Sequence, residues 1–487
     1  MKGGIELVFI PAPVMGHLIS AIEMAKLLLQ KRGRYDLSIS LLIMKPTMDA
    51  KLSSYVESLL AAHEEPSSSR LKFVLLSASK ATDNTKNTTF FHSFTSFIGS
   101  HQQSASKIVS EIQTRTGSGG TRLAGIVVDM FCVGMMDLAD EFGIPAYVYY
   151  TSGAAMLGLH LHLQSLKDDY GKDVTEFKES DPDLEIPTYS KPFPVKLLPA
   201  VTLDKTDGVA DLFSDIAKRI RGAKGILVNT FLELEVHALE FLRQEEGRVP
   251  PVYPVGPALN LQGKKNGESG EEILEWLNGQ PDSSVVFLCF GSEGSFPDPQ
   301  VKEIAHALER GGQRFLWALR KPPPQGAIHP TNLNYPEDVL PEGFLERTKD
   351  IGKVVGWAPQ AAVLAHPAVG GFVSHCGWNS TLESVWFGVP MATWPIYAEQ
   401  QANAFQLVTD IGIGVDLKSD YRIPKSSEKV LKTVEAEVIE ASIRKLMDHP
   451  SAARKKAEEL RDKSREAVEE GGSSFNSLQA FLHELSL

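Results

Sequence analysis

WAPQAAVLAHPAVGGFVSHCGWNSTLESVWFGVPMATWPIYAEQ, residues 357–400, holds two short apolar runs of β type, Gly371–Ser374 and Met391–Trp394. Between them the turn His375-Cys376-Gly377-Trp378-Asn379-Ser380 opens a helix starting near Asn379. A strand, a tight turn at its carboxyl end and a helix leading to another strand form the repeating unit of a parallel, doubly wound sheet. Such a turn aims free backbone N–H groups at one point and adds the positive helix end, so it predicts an anion site suited to a diphosphate. The same segment carries four of the six tryptophans, together with amide and carboxylate hydrogen-bonders. It therefore has the groups needed to hold a base, a ribose, a diphosphate and a sugar.

Outward from this segment the pattern repeats. Val285–Phe290, Arg314–Leu319 and Val354–Gly356 read as further strands of the same half. In the first half the strand candidates are Leu7–Pro11, Leu37–Met44, Leu71–Leu76, Gly125–Asp129 and Ala146–Tyr150, with helical patterns at Leu18–Lys31 and Phe91–Thr114 between them. Strand–helix alternation predicts parallel sheets covered on both faces. A chain of 487 residues exceeds one ordinary core, so two domains are expected. Val249–Gly270, rich in Pro, Gly, Asn and Lys, reads as the linker. Asp168–Pro199 and the Pro-rich Lys321–Pro341 read as surface loops, and Glu437–Leu485 as a charged, amphipathic helical tail.

Composition narrows the function. Hydrophobic content of 43% and charged content of 23% fit a soluble globular protein. The net charge of −12 argues against a nucleic-acid partner and disfavours anionic lipid. No secretory signal is visible, and the most apolar long stretch, Pro145–Leu163, is too polar to span a bilayer. Cys132, Cys289 and Cys376 are too scattered for a disulfide framework or zinc cluster, which fits a reducing cytoplasmic location.

Three further positions bear chemistry. Pro11-Ala12-Pro13-Val14-Met15-Gly16-His17 follows the first strand and presents His17 at its carboxyl end, where it reads either as a helix cap or as a catalytic group. Asp129 ends Gly125–Asp129 and reads in isolation as the N-cap of the helix that follows. Thr151, after the fifth strand, has the same cap alternative.

With these motifs in place, the chain resembles the plant small-molecule UDP-glycosyltransferases, whose C-terminal signature box has the length, start and end of residues 357–400. The resemblance implies two facing Rossmann-like domains (the GT-B fold, an α/β architecture). The N-terminal acceptor-binding domain would span residues 1–252, joined by a C-terminal helix at about 470–487, and the nucleotide-sugar domain residues 253–469. It makes His17 the general base and Asp129 its partner, and Thr151 a ligand of the transferred sugar. For UDP it implies stacking on Trp357, a backbone contact at Ala358, and ribose contacts from Gln360 and Glu383. Diphosphate contacts would come from Ser292, His375, Asn379, Ser380 and the backbone at Trp378, which also borders the sugar. Glu399 and Gln400 would bind sugar hydroxyls. Glu399 departs from the family's usual aspartate, and Val14 from its frequent glycine. Val14, Phe90, Phe131, Phe193 and Tyr397 are the expected lining of the acceptor pocket. His366 matches a family position but reads as structural, and Trp386 and Trp394 as core.

The implied reaction is inverting, metal-independent transfer of glucose from UDP-glucose to a hydroxyl of a flavonoid, other phenolic or terpenoid, by a monomer needing no cofactor. Two rivals remain. A nicotinamide oxidoreductase would share the α/β pattern, but the sequence has no G-x-G-x-x-G. A non-catalytic nucleotide-sugar-binding protein would be expected to lose His17 or Asp129. Asp181-Pro182-Asp183 has the spacing of a metal-binding pair but no apolar strand before it.

Overall fold

The computed structural model describes residues 4–46, 49–62, 70–79, 90–119, 121–245, 247–261, 268–323, 331–332, 338–423 and 432–487. Its architecture follows from the apolar runs. β1 (Ile5–Ile10), β2 (Leu37–Ile43), β3 (Leu71–Leu75), β4 (Arg122–Asp129), β5 (Ala146–Tyr150), β6 (Gly225–Val228) and β7 (Val252–Pro254) form one sheet in the order β3-β2-β1-β4-β5-β6-β7. All its pairings are parallel. A second parallel sheet contains β8 (Val285–Cys289), β9 (Arg314–Ala318), β10 (Gly352–Val355), β11 (Val369–Ser374), β12 (Met391–Thr393) and β13 (Gly414–Asp416). These six run in the order β10-β9-β8-β11-β12-β13.

Each sheet is buried on both faces because alternate residues of one strand enter different cores. Leu7 and Phe9 of β1 face one apolar cluster, Val8 and Ile10 the other. In β8, Val285, Phe287 and Cys289 face one cluster while Val286 and Leu288 face its counterpart. Strand order reverses between β1 and β4 and again between β8 and β11. Those two switch points are where an open parallel sheet leaves a crevice beyond its strand ends.

Several elements differ from the sequence-based expectation. The short β6, β7 and β13 were not expected. The helical pattern over Phe91–Thr114 divides into Phe90–Gly99 and Gln102–Gly119. The tail divides into Ala436–Met447, Ala452–Val468 and Ser473–Leu485, broken near Pro450 and Gly471-Gly472. A boundary between residues 252 and 253 would cut β7, which pairs with β6. Residues 262–267 of the linker and residues 324–330 and 333–337 of the Pro-rich loop lie outside the described residues. The last helix, Ser473–Leu485, lies on the first sheet, with Leu478, Phe481, Leu482 and Leu485 in its core. No helix among the described residues is long and apolar enough to cross a membrane.

Candidate active site

The two switch points face each other. The helix Met15–Gln30 begins just after β1, and the helix Trp378–Phe387 just after β11. Asn379 Nδ2 donates to Gly16 O across 3.3 Å, and Trp378 Nε1 donates to Asn229 O at 2.7 Å. Both bonds join the C-terminal half to the N-terminal half. The Trp378 ring is 3% exposed and lies against Gly153, where an added Cβ would stand 2.7 Å from it. Its side chain is thus committed between the halves, leaving its backbone at the helix start to meet a ligand.

On the N-terminal side, His17 Nδ1 lies 2.8 Å from Asp129 Oδ2 and 3.0 Å from Thr151 Oγ1. An ionised carboxylate only accepts, so Nδ1 carries the proton and Nε2 keeps its lone pair. Burial of the imidazole lowers its pKa, but the Asp129 charge and hydrogen bond, aided by the Glu399 charge, outweigh it and raise the value above 6.5. Asp129 makes two bonds through its carboxylate. Its Oδ1 accepts from Phe131 N at 2.9 Å, capping the turn Met130–Met136, while Oδ2 holds His17. Thr151 is not the cap of the helix Ala154–Asp168. The Glu235 carboxylate takes that place, accepting from Ala154 N at 2.8 Å and Ala155 N at 2.9 Å.

The C-terminal side collects the residues of the 357–400 segment. The Trp357 ring is 49% exposed, a flat apolar surface free to stack, with Ala358 buried beside it. Gln360 Nε2 donates to Glu383 Oε2 at 2.7 Å and to Ser380 Oγ at 2.9 Å. Burial pushes the Glu383 carboxyl up to about 7 against the opposing pull of that Gln360 bond. His375, buried at the end of β11, is pulled down to about 4 by desolvation and is neutral. Its ring is clamped between two glycines. A Cβ on Gly291 would stand 2.7 Å, and one on Gly377 2.5 Å, from His375 Nε2. This clamp brings the Gly291-Ser292 turn against the His375 turn, and Ser292 is exposed there with its carbonyl held by Arg320.

Gln400 Oε1 accepts from Ile396 N at 2.9 Å and Tyr397 N at 3.0 Å, so a sugar hydroxyl would be met by its Nε2. Burial raises the Glu399 carboxyl, offset in part by His17.

Of the expected pocket residues, Phe131 lies 5.1 Å from the His17 ring, centroid to centroid, and Phe90, Val14 and Tyr397 are exposed. Phe131 meets Phe94 edge-on at 5.9 Å, and Phe94 stacks with Phe90 at 5.9 Å, so an aromatic wall leads from His17. Phe193 does not belong to it. Paired with Leu184 in an isolated bridge, it is 0% exposed and packs edge-on against Tyr189 and Phe405. Trp394 is core, whereas Trp386 is half-buried under the Arg465 guanidinium. His366 is structural, its Nε2 within 3.0 Å of Asn278 Oδ1. The Cys376 thiol is buried with its pKa raised by desolvation, which suits a core group and not a nucleophile. Sequence reasoning missed Asn229 and Glu235. Both follow the short β6, and once that strand is known the strand-end rule points to them.

The geometry defines a two-lobed α/β protein in which the helix start at Trp378 on one lobe faces a part-buried His–Asp pair on the other. Residues 250–447 match the family model described as UDP-glucoronosyl and UDP-glucosyl transferase. A flavonoid 3-O-glucosyltransferase of Fragaria ananassa is 51% identical, the alignment covering 100% of this chain and 99% of the relative. UDP-glycosyltransferase 71E1 of Stevia rebaudiana is 50% identical over 99% of this chain and 98% of its own. A crystal structure of a glycosyltransferase from Siraitia grosvenorii in complex with UDP superposes with a TM-score of 0.84 at 42% identity, covering 99% of both chains. Medicago truncatula UGT71G1, solved with UDP-glucose, gives a TM-score of 0.84 at 39% identity over 99% of each chain. The chain belongs to the UDP-glucoronosyl and UDP-glucosyl transferase family and is a UDP-glycosyltransferase of the two-domain GT-B fold.

Proposed function

We propose that this chain transfers glucose from UDP-glucose to a hydroxyl of a small lipophilic acceptor, a flavonoid, other phenolic or terpenoid, with inversion at the anomeric carbon. The observation that carries the mechanism is the 2.8 Å bond between His17 Nδ1 and Asp129 Oδ2, which leaves Nε2 as the base. The acceptor oxygen attacks C1 of the sugar and its proton passes to His17 Nε2. The C1–O bond to the diphosphate breaks, and UDP departs with the electron pair. One displacement on an α-linked donor gives a β-glucoside. The helix start at Trp378 and the neighbouring Ser380 and His375 lie where charge grows on the leaving diphosphate, an electrostatic task worth several kcal/mol in preorganised sites. This assigns that task to the protein without a metal or other cofactor.

Trp357 would stack the uracil, Gln360 and Glu383 would bind the ribose, and Thr151, Glu399 and Gln400 the sugar. The aromatic wall Phe131–Phe94–Phe90 supports a flat apolar acceptor, as does the flavonoid named for the Fragaria ananassa relative. The same reading takes the protein to be a cytoplasmic monomer. The test is turnover of His17→Ala with UDP-glucose and a panel of phenolic and terpenoid acceptors, read by product mass and by the anomeric proton coupling. Loss of a general base should cut kcat by roughly 10²–10⁴ with UDP still bound. Near-normal rates, an α-product, or activity lost to chelator and restored by manganese would each refute part of the proposal.

A further inference from the structure

Glu235 is 3% exposed, yet its carboxylate is not part of the reacting cluster. It follows β6 and stands at the N-cap position of the helix Val236–Gln244, with its side chain turned to other elements. Oε2 accepts from Ala154 N at 2.8 Å, and Oε1 from Ala155 N at 2.9 Å. Oε1 also accepts from Gln406 Nε2 at 2.8 Å. The first two donors open the helix Ala154–Asp168, directly after Thr151, whose Oγ1 touches His17. The third closes the helix Gln400–Gln406, which starts at the expected sugar ligands.

That short helix is pinned by its polar side chains, each to a different loop. Gln400 holds the backbone at Ile396 and Tyr397, Gln401 Nε2 donates to Tyr421 O at 2.8 Å, and Asn403 Nδ2 to Cys376 O at 3.0 Å. Gln406 alone of these reaches the other lobe through a side-chain pair. Its neighbours Ala402 and Phe405 pack into the N-terminal core. Gly153 is squeezed between Glu235 and Trp378, where an added Cβ would lie 2.8 Å from Oε1 and 2.7 Å from the ring.

We propose that Glu235 is a positioning residue: one buried carboxylate caps the helix behind Thr151 and grips Gln406, registering the sugar-binding helix of one lobe on the His17 cluster of the other. This rests on the transferase reading above. A helix N-terminus stabilises a buried carboxylate, so the bond to Gln406 is held by a group fixed in place. Reacting groups carried on separate lobes need such a fixed reference, since misplacement by about 1 Å can cost on the order of 100-fold.

The test compares Glu235→Gln, Gln406→Leu and the double variant E235Q/Q406E with wild type. Measured are kcat, calorimetric UDP-glucose affinity, and hydrogen exchange over residues 151–156 and 400–406. Glu235→Gln has one acceptor oxygen for three donors, so its N–H₂ must face Ala154 N or both Ala155 N and Gln406 Nε2, and kcat should fall by about 10- to 100-fold. UDP-glucose affinity should hold, because Trp357, Gln360 and Glu383 are untouched, and exchange should rise in both segments. In the double variant the amide introduced at 235 donates to the carboxylate introduced at 406 while its oxygen still accepts from Ala154 N; only the Ala155 N bond stays lost, and kcat should recover in part. Unchanged kcat and exchange in Glu235→Gln would overturn the proposal. So would equal losses of affinity and thermal stability without recovery in the double variant, which describe a plain packing group. Should wild type itself transfer no glucose, the transferase reading fails, while hydrogen exchange still decides whether Glu235 couples the two helices.

Discussion

His17 gains its character from what surrounds one of its nitrogens. Burial alone would lower its pKa; the Asp129 charge and bond reverse the sign. As the proposed base, His17 is competent only when deprotonated, so activity should decline as pH falls through this raised value. In Asp129→Asn the two raising influences vanish while burial remains, and the acid limb should move to lower pH. The introduced amide can still cap Phe131 N through its oxygen, so the fold survives. Its N–H₂ would face Nδ1 and favour the tautomer with the proton on Nε2, removing the base. In a hydrolase triad that error costs about 10⁴ in kcat. A pH–rate profile of the variant checks both, and an acid limb that stays in place would remove Asp129 from this role. Glu383 offers a second test, since its carboxyl is pushed up to about 7. A ribose diol prefers the ionised form as acceptor. UDP-glucose, whose diphosphate does not titrate near neutrality, should therefore bind more weakly as pH drops below about 7. Glu383→Gln should be weaker throughout and lose that dependence, as read by calorimetry across pH.

Among elements, the most constrained is the turn between β11 and the helix Trp378–Phe387. Cys376 has φ 62°, a left-handed conformation in a non-glycine residue. Local strain of this kind persists only where packing over-determines it. Here the Cys376 side chain is fully buried and its carbonyl accepts from Asn403. Gly377→Ala, although its φ of −63° suits alanine, would drive a Cβ into the His375 ring. Overpacking of this sort costs about 1–3 kcal/mol. We expect a modest loss of stability and a tenfold or larger loss of UDP-glucose affinity, measured by thermal denaturation and calorimetry. The element scale also shows what a sequence can and cannot disclose. β1, β4, β8 and β11 each carry an apolar run that leads into a distinctive turn, so they and their strand-end turns are legible. β6 and β13 are as short as β10 and β12 but have no signature turn beside them, and the residues that follow β6, Asn229 and Glu235, stay hidden with it. Phe193 misleads because an aromatic in a Pro-rich loop looks exposed until Leu184 and Phe405 enclose it. No local pattern announces either contact, since both depend on the relative placement of distant segments.

At the scale of the molecule, the chain crosses between its lobes more than once, and the last crossing is the most consequential for stability. The helix Ser473–Leu485 returns to the first sheet, where Phe481 meets Tyr147 edge-on at 5.0 Å and Tyr253 at 5.5 Å. Gln479 Nε2 donates to Lys31 O at 2.6 Å, and Tyr253 and Arg122 bond to Glu484 and Leu485. Four apolar side chains of this helix sit in the core that contains Leu7 and Phe9 of β1. Burying a side chain of that size contributes about 1.5–3 kcal/mol. The first sheet is thus completed by the far end of the chain. Phe481→Ala should destabilise the protein by about 3–5 kcal/mol, the usual cost of emptying an aromatic site in a core. The substitution lies on the face of β1 opposite Val8 and Ile10 and far from Trp357 and Glu383. UDP-glucose affinity of the folded variant should therefore match wild type at low temperature, while the thermal midpoint drops. A variant as stable as wild type would mean that the first sheet does not need this helix to close its core.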